Sequence, residues 1–350
     1  MITDDIQFNV LPGRKGDIGE IRLNRPKALN ALSLDMCVAL REQLLQWQQD
    51  ATIKAVIIAG EGGRAFCAGG DVRALYQNRT HIAEIIDFFR QEYRMNKTIF
   101  HFTKPYISLL DGITMGGGAG VSIHGSHRVA SEFFSFAMPE TAIGFFPDIG
   151  AGYFLNQCPG KMGYYLGLTG VTIKISDAVA LGLVNHFVER AKQPALVRAL
   201  CEADFLGDPM KHVSAIIAQH HFEISATDLM PHAAHIECCF TASNVQAIIK
   251  NFQSLGNDWS KEIVALLSKR SPSSLAVTFQ YLQRAATLNF DEVMQMNFNL
   301  AQAFMQRHDF FEGVRAVLMD KDQAPQWEPK SIEHLQEQEI ERYFENAGPL

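Results

Sequence analysis

Two glycine-rich segments, each following a short apolar run, constrain the fold of this chain more than any other feature. Ala55-Val56-Ile57-Ile58-Ala59 is apolar throughout and ends in Gly60, the pattern of a fully buried strand. It leads to Ala65-Phe66-Cys67-Ala68-Gly69-Gly70-Asp71, and a helix is predicted from Val72. After Pro105, Tyr106 to Leu110 repeat the buried-strand pattern and lead to Gly112-Ile113-Thr114-Met115-Gly116-Gly117-Gly118-Ala119-Gly120. Consecutive glycines let a backbone turn sharply and let a ligand approach its N–H groups. A helix start adds unpaired donors and a partial positive charge. Two such turns can each aim one N–H at a developing oxyanion, as acyl chemistry needs. The plainer alternative is a pair of tight strand-to-helix turns with no ligand. A dinucleotide fingerprint is less favoured, because neither segment has its glycine spacing within a βαβ unit.

Strands and helices alternate through the first half. Ile21 and Leu23 flank Arg22 in a half-buried strand pattern, which Asn24-Arg25-Pro26 breaks. Ser33 is a good N-cap for a helix whose Met36, Leu40, Leu44 and Trp47 recur at helical spacing. Phe134-Ser135-Phe136 is a further short strand. From about residue 205 the pattern is helical: Ser271-Pro272 opens one helix, and Met294, Phe298, Ala301 and Met305 form the apolar stripe of another. Strands mixed with helices first and helices afterwards predict an α/β core, residues 1–205, with an α-helical C-terminal region, 206–350.

The formal net charge of -7 argues against nucleic-acid binding, where a basic footprint is expected. A polyanionic small molecule remains compatible, since helix N-termini and a few local cations hold phosphates on acidic proteins. No apolar run approaches the roughly 20 residues that span a bilayer. The opening Met1-Ile2-Thr3-Asp4-Asp5 is neither a secretory signal nor an Arg-rich transit peptide, so a cytoplasmic protein is expected. Six cysteines without regular spacing read as reduced thiols. His232, His235, Cys238 and Cys239 fit no established zinc spacing, and no metal is expected there.

The third segment that carries chemistry is Phe136-Ala137-Met138-Pro139-Glu140-Thr141-Ala142-Ile143-Gly144-Phe145-Phe146-Pro147-Asp148-Ile149-Gly150. Glu140 and Asp148 stand among apolar residues, prolines and glycines, where a carboxylate is costly to desolvate unless hydrogen bonds or use repay it. A lone Glu after Pro is more often a helix-start residue. Two acids framing one apolar turn make a working pair an equal reading. No Gly-x-Ser-x-Gly elbow occurs, and Cys67 sits in a turn where the backbone matters more than the thiol.

Taken together, these segments resemble the crotonase (enoyl-CoA hydratase/isomerase) superfamily. Asn24-Arg25-Pro26-Lys27-Ala28-Leu29-Asn30-Ala31-Leu32 is similar to its N-terminal signature, Ala65 to Asp71 to its first oxyanion turn, and Gly116-Gly117-Gly118 to its second. Within it the chain is most similar to the 3-hydroxyisobutyryl-CoA hydrolase family. That likeness is carried by Phe89 to Tyr93, Gly112 to Gly118, Ala137 to Asp148, Gly150 to Leu155, His308 to Ala316 and Asp320-Lys321-Asp322. The resemblance covers nearly the whole chain. It implies a crotonase-like ββα spiral core with the helical region appended.

The resemblance also assigns roles. It puts the oxyanion donors on the backbone N–H groups of Gly70 and Gly117, the catalytic glutamate on Glu140 and the second acid on Asp148. It puts a substrate-side glutamate on Glu92 and the adenine-side wall near Ala68 and Asp71. Lys27 and Arg73 are weaker candidates for phosphate contact, with solvated surface cations as the equal alternative. Hydratases of the superfamily carry a glutamate three residues after the second oxyanion glycine, and that position here is Gly120. The hydrolase subfamily lacks it too. The implied activity is hydrolysis of 3-hydroxyisobutyryl-CoA, or of 3-hydroxypropionyl-CoA, to free acid and CoA in valine catabolism. No cofactor is implied, CoA being part of substrate and product. Trimers or paired trimers are common in the superfamily, so a homo-oligomer is compatible. An enoyl-CoA hydratase/isomerase and a non-catalytic acyl-CoA binder are the other readings.

Overall fold

Among the described residues ten strands build two sheets. The strands are β1 (Ile6–Leu11), β2 (Asp17–Leu23), β3 (Ile53–Gly60), β4 (Ala65–Cys67), β5 (Tyr106–Leu110), β6 (Ile113–Met115), β7 (His127–Ala130), β8 (Ser135–Ala137), β9 (Ile173–Lys174) and β10 (His186–Phe187). The larger sheet has the order β1-β2-β3-β5-β7-β10 and the smaller β4-β6-β8-β9. In the larger sheet only β1 and β2 pair antiparallel; β2, β3, β5, β7 and β10 run parallel. The computed structural model describes residues 4–205, 207–222, 224 and 227–350.

The chain divides into two compact units that interleave in sequence. The first comprises Met1–Gly70, Arg94–Phe136 and Ile173–Asp228, and the second Asp71–Tyr93, Ala137–Thr172 and Leu229–Leu350. These limits do not coincide with a division after residue 205: residues 173–228 stay with the sheets, and 71–93 and 137–172 group with the C-terminal helices. The cause is that compactness follows contact, whereas a composition change marks only where strands stop. The expected boundary itself meets residue 206, which lies outside the described residues, as do Met1, Ile2 and Thr3 of the acidic opening.

In the first unit the central strands β3 and β5 are buried along nearly their whole length. Ile18, Ala55, Ile57, Ile107, Leu109 and Val129 form one buried cluster with Leu196 and Leu200 of the helix Gln193–Cys201 and Val213 and Ile217 of the helix Pro209–Ala218. Parallel strands with helices packed on them need this near-continuous apolar sequence. The helix Leu34–Gln49 is capped by Ser33, whose hydroxyl accepts from Met36 N–H at 3.3 Å, and buries Met36, Leu40, Leu44 and Trp47 as their spacing predicts. Ile21 and Leu23 are buried around a half-exposed Arg22, also as predicted.

The second unit is helical, with a core of aromatic rings. Ser271 caps the helix Pro272–Ala285, with proline in its first turn, and the helix Phe290–Met305 buries Met294, Phe298, Ala301 and Met305. Phe145 stacks on Phe89 at 5.3 Å and lies 5.3 Å from both Phe304 and Phe310. The helix Ile82–Phe100 begins in this unit and ends in the other.

Candidate active site

The two glycine turns lie together in the first unit. A Cβ added at Gly118 would sit 2.1 Å from the Cys67 carbonyl oxygen, so the second turn packs backbone to backbone on the first, and only glycine permits it. Gly69, at φ +116°, adopts a conformation open to glycine, and a Cβ there would lie 3.6 Å from Gly117 N. Gly117 opens the helical turn Gly117–Gly120; Ala119 N–H and Gly120 N–H donate to Gly116 O, whereas the N–H of a first helical position has no acceptor within its own helix.

The Asn24–Leu32 segment holds the first turn in place. Ala68 N–H donates to Leu29 O at 3.0 Å and Leu32 N–H to Gly69 O at 2.8 Å. The fully buried Asn30 amide donates to Ala65 O and to Glu61 O, each at 2.9 Å, and its oxygen accepts from Arg25 N–H at 2.9 Å. These bonds leave the N–H groups of Gly70 and Gly117 out of their set. The Cys67 thiol points to Gly69 O at 3.7 Å, a backbone partner.

Glu92, Glu140 and Asp148 are brought together in the second unit, all three buried. Glu140 opens a short 3-10 helix, Glu140–Ile143, directly after Pro139, which keeps its carboxyl in the position favoured by the helix dipole. Asp148 follows Phe145-Phe146-Pro147, and its Oδ2 accepts from the Tyr93 hydroxyl at 2.7 Å. Glu92 Oε1 and Glu140 Oε2 are buried with no partner among the described residues.

The electrostatics follow from this crowding. Burial, then the neighbouring Asp148, then Glu140 push the Glu92 carboxyl well above its ordinary range. Burial and Asp148 do the same to Glu140. Burial raises Asp148 to about 7, against the opposing pull of the Tyr93 hydrogen bond. Three buried acids side by side cannot all ionise cheaply, and carboxyls raised in this way gather at functional sites.

The C-terminal motif His308–Ala316 reaches Glu140 through Ser271. Asp309, buried, accepts from the Ser271 hydroxyl at 2.5 Å, and Ser271 N–H donates to Thr141 O at 3.2 Å. The residue after the glutamate is thus tied to the far end of the sequence.

Ala68 is half-buried beside the first glycine turn. Asp71 caps the helix Val72–Gln77 by accepting from Ala74 N–H at 3.2 Å. Lys27 and Arg73 are exposed. His232 stacks on Trp259 at 4.0 Å, Cys238 is exposed and Cys239 buried. Among the described residues no group of three or more His, Cys, Asp or Glu side chains could hold a metal ion. Sequence reading did not single out Asn30, Tyr93 or Asp309 for these bonds, though each lies within a segment that carried the resemblance.

A family model described as enoyl-CoA hydratase/isomerase matches residues 18–344. The mitochondrial 3-hydroxyisobutyryl-CoA hydrolase of Homo sapiens is 43% identical over 354 residues, covering 98% of this chain and 90% of the relative. The mitochondrial enzyme of the same name from Xenopus tropicalis is 45% identical over 344 residues, covering 96% and 88%. A crystal structure of a carnitinyl-CoA dehydratase from Mycobacterium thermoresistibile has a TM-score of 0.91 at 36% identity, covering 99% of this chain and 98% of that one. An enoyl-CoA hydratase from Rhodobacter sphaeroides 2.4.1 has a TM-score of 0.89 at 33% identity, covering 99% and 98%. The mitochondrial relatives overturn the cytoplasmic placement expected above. It rested on the character of the first few residues, which does not determine where relatives of this kind work.

Proposed function

This chain belongs to the enoyl-CoA hydratase/isomerase family, and we propose that within it the chain is a hydrolase of 3-hydroxyisobutyryl-CoA, working in valine breakdown. The observation that carries this reading is the cluster of Glu92, Glu140 and Asp148, buried together with one oxygen each of Glu92 and Glu140 unpartnered among the described residues, while Gly120 stands where hydration would need a second glutamate. The names of the relatives at 43% and 45% identity support it.

In the proposed reaction the thioester oxygen accepts from the N–H groups of Gly70 and Gly117. Donors fixed for the tetrahedral oxyanion stabilise it more than the ground-state carbonyl, and one such donor is worth roughly 2.7–4 kcal/mol in other enzymes. Ionised Glu140 attacks the carbonyl carbon, the C–S bond breaks, and CoA leaves as a thiolate that takes up a proton. Water then cleaves the mixed anhydride and regenerates the Glu140 carboxylate. A direct route, with Glu140 taking a proton from an attacking water, uses the same groups. Asp148 orients the water or the substrate hydroxyl, and Glu92 lines the substrate side. No cofactor beyond the CoA of the substrate takes part.

A hydratase is the second reading, favoured by the names of the two solved structures. Syn hydration is usually run with two glutamates, and Gly120 supplies no carboxyl. A panel of 3-hydroxyisobutyryl-, 3-hydroxypropionyl-, isobutyryl- and crotonyl-CoA separates the readings. The hydrolase frees thiol from the 3-hydroxyacyl compounds. Loss of enoyl absorbance without thiol would identify a hydratase, and neither signal a binder.

A further inference from the structure

Directly after Asp148 the backbone does something expensive. Ile149 adopts φ +47°, the left-handed region that a β-branched side chain disfavours most, and Gly150 follows at φ +82°. Such conformations persist only where the surroundings over-determine them, and they gather at functional sites.

Two fully buried polar side chains from the C-terminal helices supply that determination. Asn297, on the helix Phe290–Met305, accepts from Gly150 N–H at 2.7 Å and donates its amide to the Tyr281 hydroxyl at 2.7 Å. Tyr281, on the helix Pro272–Ala285, also accepts from Gly152 N–H at 2.6 Å. Its ring abuts that backbone so closely that a Cβ at Gly152 would lie 2.7 Å from the hydroxyl oxygen. The four groups close a loop, Gly150 to Asn297 to Tyr281 to Gly152, around the turn that Asp148 enters. Two buried polar side chains cost desolvation that an apolar pair of the same volume would avoid. Their hydrogen bonds converge on this one turn.

We propose that Asn297 and Tyr281 are positioning residues that fix the direction of the Asp148 carboxyl by locking the strained turn behind it. They touch neither substrate nor reacting atoms; they act through residues 149–152. The inference rests on the hydrolase reading for the role of Asp148, but the lock itself does not.

The test uses Tyr281→Phe, which deletes one oxygen and keeps the ring, with Asn297→Ala as the second variant. Hydrogen–deuterium exchange by mass spectrometry on peptides spanning 148–153 is expected to accelerate in both variants. Turnover is expected to lose about tenfold or more in kcat/KM on 3-hydroxyisobutyryl-CoA, since small misplacements of a working group cost up to about 10²-fold. The preference for that substrate over isobutyryl-CoA is expected to narrow toward one, which general destabilisation would not produce. A folded variant with wild-type exchange overturns the proposal. So does faster exchange with an unchanged substrate preference, and so does failure of both variants to fold, since the pair would then serve the fold rather than the turn. If the wild type releases no CoA, or shows no preference between the two substrates, it is the functional reading that fails. The exchange measurement then decides alone whether the two residues hold the turn.

Discussion

Tyr93 donates its hydroxyl to Asp148 Oδ2 at 2.7 Å, so a bond that favours the ionised carboxylate acts on a side chain whose burial favours the neutral acid. Burial wins, and the Asp148 carboxyl is held near neutrality, at about 7. Glu92, one residue before Tyr93 on the same helix, has no such opposing bond: burial, Asp148 and Glu140 all push its carboxyl up, and one buried oxygen has no partner among the described residues. Positioned acids that change protonation near working pH are what general acid–base chemistry requires.

This cluster is expected to leave a mark on stability against pH. A carboxyl whose pKa is raised by folding binds more protons folded than unfolded, so its contribution is present at low pH and is lost as pH rises through the folded value. For Asp148 the window runs from its ordinary 3.8 to about 7, and for Glu92 and Glu140 from 4.5 upward. His127 and His186, pushed down to about 4 by burial, act oppositely and lose their contribution as pH falls below 6.5. Well above pH 6.5 these two histidines are neutral in the unfolded state as well as the folded one, and their opposing contribution no longer changes with pH. Tm is therefore expected to fall as pH rises past neutrality for as long as Glu92 or Glu140 keeps its proton in the folded state, each titrating carboxyl contributing up to about 1.4 kcal/mol per pH unit. Glu92→Gln is expected to flatten that slope and to melt above wild type at pH 8.5. Parallel melting curves for the two proteins would contradict the raised pKa of Glu92.

Gly118→Ala tests the packing of the two glycine turns. The added methyl would meet the Cys67 carbonyl oxygen at 2.1 Å, a backbone atom that cannot rotate away. Overpacking of this kind costs about 1–3 kcal/mol, and the shift would move Gly117 with it. Lower Tm and a fall in kcat are both expected. A variant with wild-type stability and turnover would mean that the turns separate freely and do not form a fixed donor pair.

Glu140→Gln keeps the shape of the side chain and removes the carboxylate. Turnover is expected to drop by roughly 10²–10⁴-fold, the range attributed to a positioned base. Binding of an acyl-CoA, measured by calorimetry, is expected to persist. Thioester cleavage at near the wild-type rate by the folded variant would sink Glu140 as nucleophile or base.

Local patterns in the sequence read well where physics is local. The spacing of Met36, Leu40, Leu44 and Trp47, the caps at Ser33 and Ser271, and the buried runs at 55–59 and 106–110 are each decided within a few residues, and each holds. The acids Glu140 and Asp148 stood out because their apolar neighbours made burial costly. Their partners could not be read the same way. Tyr93 and Asp148 meet across 55 positions, and Asn297 reaches Gly150 across 147, contacts that no periodicity encodes. The division of the chain was illegible for the same reason: residues 71–93 and 137–172 join the C-terminal helices through packing that composition does not record.

Asp148 is expected to make the enzyme prefer a 3-hydroxyacyl-CoA over the matching deoxy compound. Its carboxyl is buried beyond Phe145-Phe146-Pro147, and Tyr93 satisfies Oδ2. A substrate hydroxyl would give the carboxyl a further polar partner that a deoxy substrate cannot provide. Sites built around such a bond reject the analogue by as much as 10⁴-fold, because the buried group is left short of a partner. The measurement is kcat/KM for 3-hydroxyisobutyryl-CoA and isobutyryl-CoA, with wild type, Asp148→Asn and Tyr93→Phe. Asp148→Asn keeps polar atoms in place but changes which of them accept and donate, so it is expected to lose most of the preference. Tyr93→Phe removes the bond that lowers the Asp148 pKa, so the carboxyl stays protonated to higher pH. The pH at which the preference changes is expected to move upward in that variant, with the preference itself retained. Equal kcat/KM for the two substrates in the wild type would remove hydroxyl recognition from Asp148 and leave it orienting water or holding the turn.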